Sequence, residues 1–280
     1  MESEEIQEIE VRLLLDALYL RYGYDFRNYD RTLLKRRLLS CLEACTFNTI
    51  AEIIPHLLHQ GSFLPRLVHA LSVNTTAMFR DPAVFAAIRE SLLPVLATYP
   101  FINIWHAGCA TGEEVYSLAI LLAEAGLLDH ARLYATDIDE EVLAKAREGV
   151  YAADHLTQFA ANYRAAGGCR ELGDYVTQAY GLVRMAERLR ENIVFANHNL
   201  VTDGVFAEIH LLMCRNVLIY FDPGLQKRAV GLFRDSLVRG GFLCLGHTES
   251  LLFSGHADHF REFSRRHRIY RKRTPSEPSS

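Results

Sequence analysis

Several features that would place a chain in a special class of protein are missing from this sequence. No apolar run approaches the roughly 20 residues of a membrane-spanning helix. The first ten residues, MESEEIQEIE, are acidic, which is the reverse of a secretory signal peptide. We therefore expect a cytoplasmic protein that does not insert into a membrane.

Signatures of disulfides and metal sites are missing as well. The six cysteines are scattered, and in a cytosolic chain of this size they should be reduced. Cys41 and Cys45 would share one helix face, but no second pair of cysteines or histidines lies nearby to complete a zinc site. The twelve histidines contain no H-E-x-x-H motif, so we expect no metal.

The overall composition is that of an ordinary globular protein. Half of the 280 residues are apolar and 23% are charged, and the length allows one large domain or two modest ones. The formal net charge is -4, so the molecule as a whole is not expected to bind nucleic acid.

Residues 1 to about 90 have the pattern of an all-helical domain. Apolar residues first keep helical spacing at Ile6, Ile9, Leu13, Ala17 and Leu20. A further helix is predicted after Asp30, which suits an N-cap. This helix concentrates four cations in seven residues, namely Arg31, Lys35, Arg36 and Arg37. They form either a solvated helix face or a docking surface for an acidic partner.

Residues 91 to 273 have the pattern of alternating strands and helices. Apolar strands are predicted at 101–108, 131–139, 192–200, 209–221, 242–247 and 268–273. Helices are predicted from Gly112, over 140–149 and over 222–241, where Gly240 and Gly241 would end the helix. Such alternation favours an open, mostly parallel α/β sheet with right-handed crossovers.

Two segments depart from the alternation. Residues 157 to about 191 are predicted to form a small inserted β-subdomain with a helix and a hairpin. The polar tail, residues 274–280, is rich in proline and serine, so we expect it to be disordered.

The turn after the first strand, GCATGEE at 108–114, has the glycines of a nucleotide cradle but not the G-x-G-x-x-G pattern. Phosphate-binding loops avoid acids at this point, whereas Glu113 and Glu114 follow the turn directly. If one of them points into the cleft, the ligand should be cationic, as S-adenosylmethionine (SAM) is. The alternative is that both are ordinary first-turn acids that complement the helix dipole.

The second strand ends in ATDID, which places Asp137 and Asp139 at the carboxyl edge of the sheet. An acid at that position suits the hydroxyls of a ribose. Enzymes that use NAD share this acid, so it does not by itself distinguish SAM from NAD. The missing pyrophosphate glycines and the acids of the first loop favour SAM.

Five motifs in order resemble the chemotaxis receptor glutamate methyltransferases, the CheR-type family. They are NTTAMFRDPAVF (74–85), WHAGCATGEEVYSLA (105–119), ATDIDEEVLAKAREGVY (135–151), CRNVLIYFD (214–222) and GGFLCLGHTESL (240–251). The resemblance covers about residues 10 to 272. It implies a helical N-terminal domain, a class I, Rossmann-like SAM-binding α/β domain, and a small β-subdomain inserted in it.

The resemblance also implies the residues of the site. The positions that match the family's cofactor contacts are Asn74, Thr76, Arg80, Glu114, Asp137, Asn199, Leu200, Asn216 and Val217. Among them, Glu114 would face the methionine part of SAM and Asp137 would bind the ribose. Arg80 and Tyr220 match the residues proposed to meet the substrate carboxylate.

The implied reaction is methyl transfer from SAM to a glutamate side chain, which gives a γ-methyl ester and S-adenosylhomocysteine. A free glutamate has a pKa near 4.3, so it is already ionised at pH 7 and needs no general base. The implied partner is the cytoplasmic helical bundle of methyl-accepting chemoreceptors. The docking surface for this bundle would be the basic cluster of Arg31, Lys35, Arg36 and Arg37. A monomer is expected.

Two alternatives remain open: a SAM-dependent methyltransferase with a different acceptor, and a non-catalytic SAM-binding scaffold in signalling. The hairpin tip TQAYG (177–181) is shorter than in family members that dock on a receptor's C-terminal pentapeptide. We therefore expect an enzyme that does not depend on this tether.

Overall fold

The computed structural model describes residues 2–252 and 254–274. Its N-terminal part is helical, with α1 (Glu2–Tyr22), α2 (Arg31–Cys45), α3 (Ile53–His59) and α4 (Phe63–Leu71). Asp30 caps α2 as predicted, because its carboxylate accepts the N–H of Leu33 at 2.7 Å. Apolar side chains from residues 11 to 71 form a hydrophobic core of their own.

Helix α1 has two apolar lines, and only one of them is buried. The buried line consists of Val11, Leu14, Leu15 and Leu18. The line noted in the sequence lies on the other side, where Ile6, Ile9, Leu13 and Leu20 are exposed. Helical spacing therefore identified the helix but not its buried face, since both lines repeat with the same period.

The remainder of the chain is built on strands and seven further helices among the described residues. The strands are β1 (Ile102–Ala107), β2 (Ala131–Asp137), β3 (Val150–Ala152), β4 (Val176–Ala179), β5 (Leu182–Met185), β6 (Ile193–Asn197), β7 (Ile209–Cys214), β8 (Leu237–Leu245), β9 (Phe260–Ser264) and β10 (Ile269–Lys272). The helices are α5 (Pro82–Ala87), α6 (Leu93–Leu96), α7 (Glu113–Glu124), α8 (Glu140–Glu148), α9 (Leu156–Ala165), α10 (Glu187–Arg190) and α11 (Pro223–Ser236).

The main sheet has seven strands in the order β6-β2-β1-β7-β8-β10-β9. The strands from β6 to β8 are parallel, and β10 and β9 are antiparallel additions at one edge. Helices α5 to α9 pack against one face and α11 packs against the other. This is the mostly parallel α/β sheet that the alternation predicted.

The structure differs from the predicted elements in three places. Strand β7 ends at Cys214 and not at Phe221, because Asn216 has a left-handed backbone (φ 61°) and residues 218–220 form a 3₁₀ turn. Gly240 and Gly241 lie inside β8 instead of ending α11. Strand β9 was not predicted, because its FREFS sequence has only one buried residue.

The inserted region contains α9 and a small antiparallel sheet of order β3-β5-β4. The sheet begins with Val150, earlier than the predicted insert at 157. Its hairpin closes through a two-residue turn, Tyr180-Gly181, in which both residues have positive φ.

Between Leu71 and Met78 the chain passes from one hydrophobic core to another. Residues up to Leu71 belong to the helical core, whereas Met78 and the helices α5 and α6 pack on the sheet. The packing thus divides the chain earlier than the boundary near residue 90 that the pattern suggested. The predicted disordered tail lies outside the described residues from 275 onwards.

Within the described ranges, no single helix is long and apolar enough to cross a membrane. Helix α2 and the segment Ile50–His59 pass such a test together, but they are bent by 68° at their junction.

Candidate active site

A cleft lies where the helical N-terminal part covers the carboxyl edge of the parallel strands. It encloses about 910 Å³ of empty space, including the part that is open to solvent. Its walls come from the segment after α4 and from the loops that follow β1, β2, β6 and β7. Ligands of open α/β sheets bind at this edge.

All the residues predicted for the cofactor and for catalysis line this one cleft. They are Asn74, Thr76, Arg80, Glu114, Asp137, Asn199, Leu200, Asn216, Val217 and Tyr220. They come from five separate parts of the chain, and the fold brings them together. Their individual roles toward SAM and substrate remain predictions.

The glycine turn after β1 is held against the end of β2. The N–H groups of Gly108 and Cys109 donate to the carbonyl of Thr136 at 2.8 and 2.9 Å. Gly108 has a φ of +76°, and a Cβ there would meet Val217 at 2.5 Å. Only glycine therefore allows the turn to approach the loop after β7 so closely.

The two glutamates after the turn have different environments. Glu113 is buried away from the cleft, and its carboxylate accepts the Thr111 hydroxyl at 2.7 Å. Burial raises its pKa, although the Thr111 hydrogen bond opposes this. Glu113 is thus a first-turn acid, as the alternative interpretation had it, whereas Glu114 lines the cleft.

Glu114 is an anion held by two buried partners. Its carboxylate contacts His106 Nδ1 at 3.1 Å and accepts a hydrogen bond from Arg215 at 2.9 Å. Burial alone would raise its pKa, but the His106 hydrogen bond and the Arg215 charge outweigh burial, and the pKa lies below its usual value. The cleft wall therefore carries an ionised carboxylate, paired with Arg215, that can also accept the ammonium group of SAM.

Asp137 lies at the end of β2 and supports the glycine turn. Its carboxylate accepts the N–H of Ala110 at 2.9 Å and that of Asp139 at 3.1 Å. Burial raises its pKa to about 6, against the effect of these two hydrogen bonds. Hydroxyl donors from a ribose would favour the ionised form, so the carboxylate fits the predicted role.

Asp139, the other acid of the ATDID motif, has a structural role. It caps α8 by accepting the N–H of Glu141 at 2.9 Å. Its second oxygen lies 2.7 Å from His69 Nδ1 and accepts the Asn74 amide at 2.9 Å. Asp139 therefore joins the helical part to the sheet and fixes Asn74 at the cleft wall.

Arg80 lies in a turn with unusual backbone geometry, between Phe79 (φ 52°) and Asp81 (φ 58°). The turn is held by the buried Arg215, which donates to the Arg80 carbonyl at 3.1 Å and to Asp81 at 2.6 Å. Asp81, the neighbour of Arg80 in the chain, thus forms its ion pair with the buried Arg215.

Arg215 and Glu249 are site residues that sequence reasoning missed. Glu249 is buried, and its carboxylate accepts the N–H groups of Asn216 and Val217 at 3.0 and 2.9 Å. Burial raises its pKa, although the backbone hydrogen bonds oppose this. The two residues fix the loop that carries Asn216 and Val217. The signal in the sequence was a charged residue inside each of two apolar motifs.

Tyr220 lies in the 3₁₀ turn beyond β7, with its side chain at the cleft. Burial raises the pKa of its hydroxyl, while the charges of Arg80 and Arg37 act in the opposite direction. Two cations therefore lie near this hydroxyl, at the part of the cleft predicted to receive the substrate carboxylate.

The predicted basic cluster is divided between two sides of α2. Arg36 and Arg37 line a groove together with Arg66 from α4, and this basic groove reaches Asn74 and Thr75 at the rim of the cleft. Arg31 and Lys35 do not line it, because successive helix residues are about 100° apart and these two point elsewhere. The sequence could not show that Arg66 joins the groove.

Comparison with known proteins agrees with this architecture. The sequence profile of the CheR methyltransferase all-alpha domain matches residues 9–72, and that of the CheR methyltransferase SAM-binding domain matches residues 74–269.

Several relatives align with most of the chain. The protein Cher3 of Pseudomonas putida is 47% identical over 272 residues, which cover 97% of this chain and 100% of that protein. Chemotaxis protein methyltransferase 2 of Pseudomonas aeruginosa is 32% identical and covers 90% and 89% of the two chains. The chemotaxis protein methyltransferase of Salmonella typhimurium is 31% identical and covers 93% and 88%.

The mostly parallel sheet, the cleft at its carboxyl edge and the match to a SAM-binding domain define a SAM-dependent methyltransferase. Within that class, the chain belongs to the CheR methyltransferase family. The predicted family, enzyme class and cofactor are thereby confirmed.

Proposed function

We propose that this enzyme methylates glutamate side chains of chemoreceptors and forms γ-glutamyl methyl esters. The observation that carries the proposal is the arrangement of charged groups around the cleft. Glu114 provides an ionised carboxylate for the ammonium of SAM, while Arg80 in the cleft and Arg37 in the adjoining basic groove provide positive charge beside Tyr220. A carboxylate acceptor would be attracted to the Tyr220 end.

The chemistry requires alignment more than proton transfer. SAM supplies an electrophilic methyl group, and a glutamate carboxylate is ionised at neutral pH, so no base is needed. Arg80 can hold one carboxylate oxygen through its guanidinium, and Tyr220 can donate one hydrogen bond from its hydroxyl. Both groups position the acceptor, which is the main contribution that such a reaction needs.

A labelled-methyl assay tests the proposal. The purified enzyme, radiolabelled SAM and a chemoreceptor cytoplasmic fragment should give label on the receptor that mild base releases, because carboxyl methyl esters are base-labile. The label should be absent from a fragment whose candidate glutamates are replaced by alanine. Base-stable label would indicate a different acceptor group, and SAM binding without any transfer would favour the scaffold alternative.

The basic groove is proposed to dock the acceptor protein, because a segment that displays several glutamates is locally acidic. Reversing two charges, Arg36→Glu with Arg37→Glu, should slow receptor methylation by about tenfold and leave SAM affinity intact. The effect should shrink as salt is added, since mobile ions screen such attraction. Initial rates and calorimetric SAM titration measure the two quantities.

A neighbouring residue provides the matched control. Lys35→Glu changes the same charge on the same helix but lies outside the basic groove, so alone it should alter the rate less than Arg36→Glu alone. Equal effects of these two single variants would contradict groove docking. Parallel loss of SAM affinity in the double variant would indicate misfolding instead.

We further propose that methylation does not depend on a receptor tether. This is supported by the short hairpin of the small sheet, whose strands β4 and β5 have four residues each and close through a two-residue turn. Removing the receptor's C-terminal pentapeptide should therefore leave the methylation rate unchanged. A cytoplasmic monomer without nucleic-acid partners is part of the same proposal.

A further inference from the structure

A second groove lies on the outward side of α5, apart from the cofactor cleft. Its floor is made of small or apolar side chains, and its rim is polar. We call it the alanine groove; the floor is formed by Ala83, Ala86, Ala87, Ala165 and Phe263, and the rim by Glu90, Ser91, Ser264, Arg266 and His267.

The floor has the shape that a helix can approach closely. Ala83, Ala86 and Ala87 follow one another at spacings of three and one, so they lie on one face of α5. Ala83 and Ala165 are exposed, and 37% of Phe263 is exposed, so this face is uncovered. Small side chains would let the backbone of a partner helix come near.

One rim of the groove is basic. Arg266 and His267 line this rim, and Arg265 directly precedes them in the chain. The turn between β9 and β10 exposes Arg265 and Arg266. Throughout the described ranges, no carboxylate forms an ion pair with either of these two side chains. Glu90 is the single acid at the rim.

The alanine groove adjoins the segment that carries Arg80. Helix α5 begins at Pro82, two residues after Arg80. Its N-terminal turn is joined to the cleft through Arg215, which contacts Asp81 and Glu114. The basic turn lies at the carboxyl edge of the sheet, because β10 runs antiparallel to β8 and its first residue, Ile269, pairs with Cys244 near the end of β8. The cleft and the alanine groove therefore border the same segment, since Arg80 lines the first and Ala83 lines the second.

We propose that the alanine groove and its basic turn dock an acidic helix of the acceptor protein. The inference rests on the proposed function, because the acidity of the partner follows from the glutamates it displays. The small floor receives the apolar side of the helix, and Arg265 and Arg266 attract its acidic side. The basic groove meets the cleft at Asn74 and Thr75, so the acceptor would be held at two separate places.

Charge reversal of the turn tests the proposal. Arg265→Glu with Arg266→Glu should raise the KM for a chemoreceptor cytoplasmic fragment by about tenfold, with kcat within about twofold, because rim charges act mainly on association. The Kd for SAM and the melting temperature should not change, since both side chains are exposed. Ala83→Glu should raise KM in the same way, by placing bulk and negative charge in the floor.

The matched control is Arg228→Glu with Arg239→Glu, which makes the same charge change at exposed arginines of α11 and β8, outside the groove. An equal rise of KM in this control, or no rise in the turn variant, would overturn the docking surface while leaving the proposed function intact. A wild-type enzyme that transfers no methyl to the receptor would overturn both.

Vesicle binding distinguishes the acidic protein helix from an anionic lipid surface. Co-sedimentation with vesicles of phosphatidylserine and phosphatidylcholine should show no binding that depends on Arg265 and Arg266. If the wild type binds the vesicles and the turn variant does not, while KM for the soluble fragment stays the same, the turn recognises a lipid surface and the proposal is wrong.

Discussion

Replacing Asp137 with alanine should weaken SAM binding by about 100-fold or more. The wild-type carboxylate would accept hydrogen bonds from the ribose hydroxyls, and two such bonds to a charged group contribute about 3 kcal/mol or more. The same carboxylate holds the N–H of Ala110 and of Asp139, so the variant also loosens the glycine turn. Calorimetric titration with SAM and with S-adenosylhomocysteine measures the loss.

The pH dependence of SAM affinity distinguishes a direct contact between Asp137 and the ribose from an indirect effect through loosening of the glycine turn. Burial raises the pKa of Asp137 to about 6, so the carboxyl is protonated in the ligand-free protein below that pH. Ribose hydroxyls favour the ionised form. SAM affinity of the wild type should therefore fall as pH decreases through 6, by up to about tenfold per unit.

The contribution of Asp137 to folding stability depends on pH in the opposite direction to SAM affinity. Its pKa is higher in the folded protein than in the unfolded chain, where it is near 3.8. The contribution of Asp137 to stability is thus complete at low pH and is lost as pH rises from about 4 to about 6. The rise in melting temperature caused by SAM should be larger at pH 8 than at pH 5.5.

Asp137→Asn is the control, because it cannot titrate. It should lose the pH dependence of SAM affinity, and its SAM-induced rise in melting temperature should be small at both pH values. A pH-independent affinity of the wild type, or tight binding by folded Asp137→Ala, would contradict the ribose role and would place the cofactor elsewhere in the cleft.

Replacing Arg215 with methionine should cause the largest loss of stability, about 3 to 5 kcal/mol. Its side chain is 1% exposed and forms ion pairs with Glu114 and Asp81 at 2.9 and 2.6 Å. Removing one partner of a buried pair leaves the other charge without compensation. Receptor methylation should fall as well, because the turn that carries Arg80 loses two hydrogen bonds to its carbonyl.

A double-mutant cycle tests whether the loss comes from Glu114. Arg215→Met combined with Glu114→Gln should be less destabilised than the sum of the two single variants, by about 2 kcal/mol, because the uncompensated charge is gone. Urea denaturation of all four proteins gives the coupling. Additive effects would show that Arg215 contributes packing and not charge.

Two further measurements test the interpretation. In the wild type the pKa of Glu114 is below its usual value, so its stabilising effect is present at neutral pH and lost as pH falls through that pKa. The difference between wild type and Arg215→Met should therefore shrink in acid. As a surface control, Arg164→Met breaks the exposed pair with Glu171 and should change stability by less than about 1 kcal/mol.

Much of the fold could be predicted from local patterns. The N-cap at Asp30, the helical N-terminal region and the alternating strands and helices follow from residue spacing, since each depends on neighbours along the chain. The errors have local causes too. The apolar run after Cys214 was taken as continued strand, although Asn216 turns the backbone away.

The sequence by itself also determined which residues line the cleft. Motifs that follow β1, β2, β6 and β7 meet at one edge, because the carboxyl ends of parallel strands lie side by side. Strand order alone predicts that Glu114 and Asp137 share a site, whereas Asn216 was assigned through the resemblance of CRNVLIYFD to the family motif.

Only the tertiary structure decided how the side chains are used. It placed Glu114 in the cleft and Glu113 outside it, although the two are adjacent, because one helix residue turns the side chain by about 100°. It also revealed Arg215, whose partners Glu114 and Asp81 are about 100 and 134 positions distant. Burial and pairing across such distances set the charge of the site, and no local pattern contains that information.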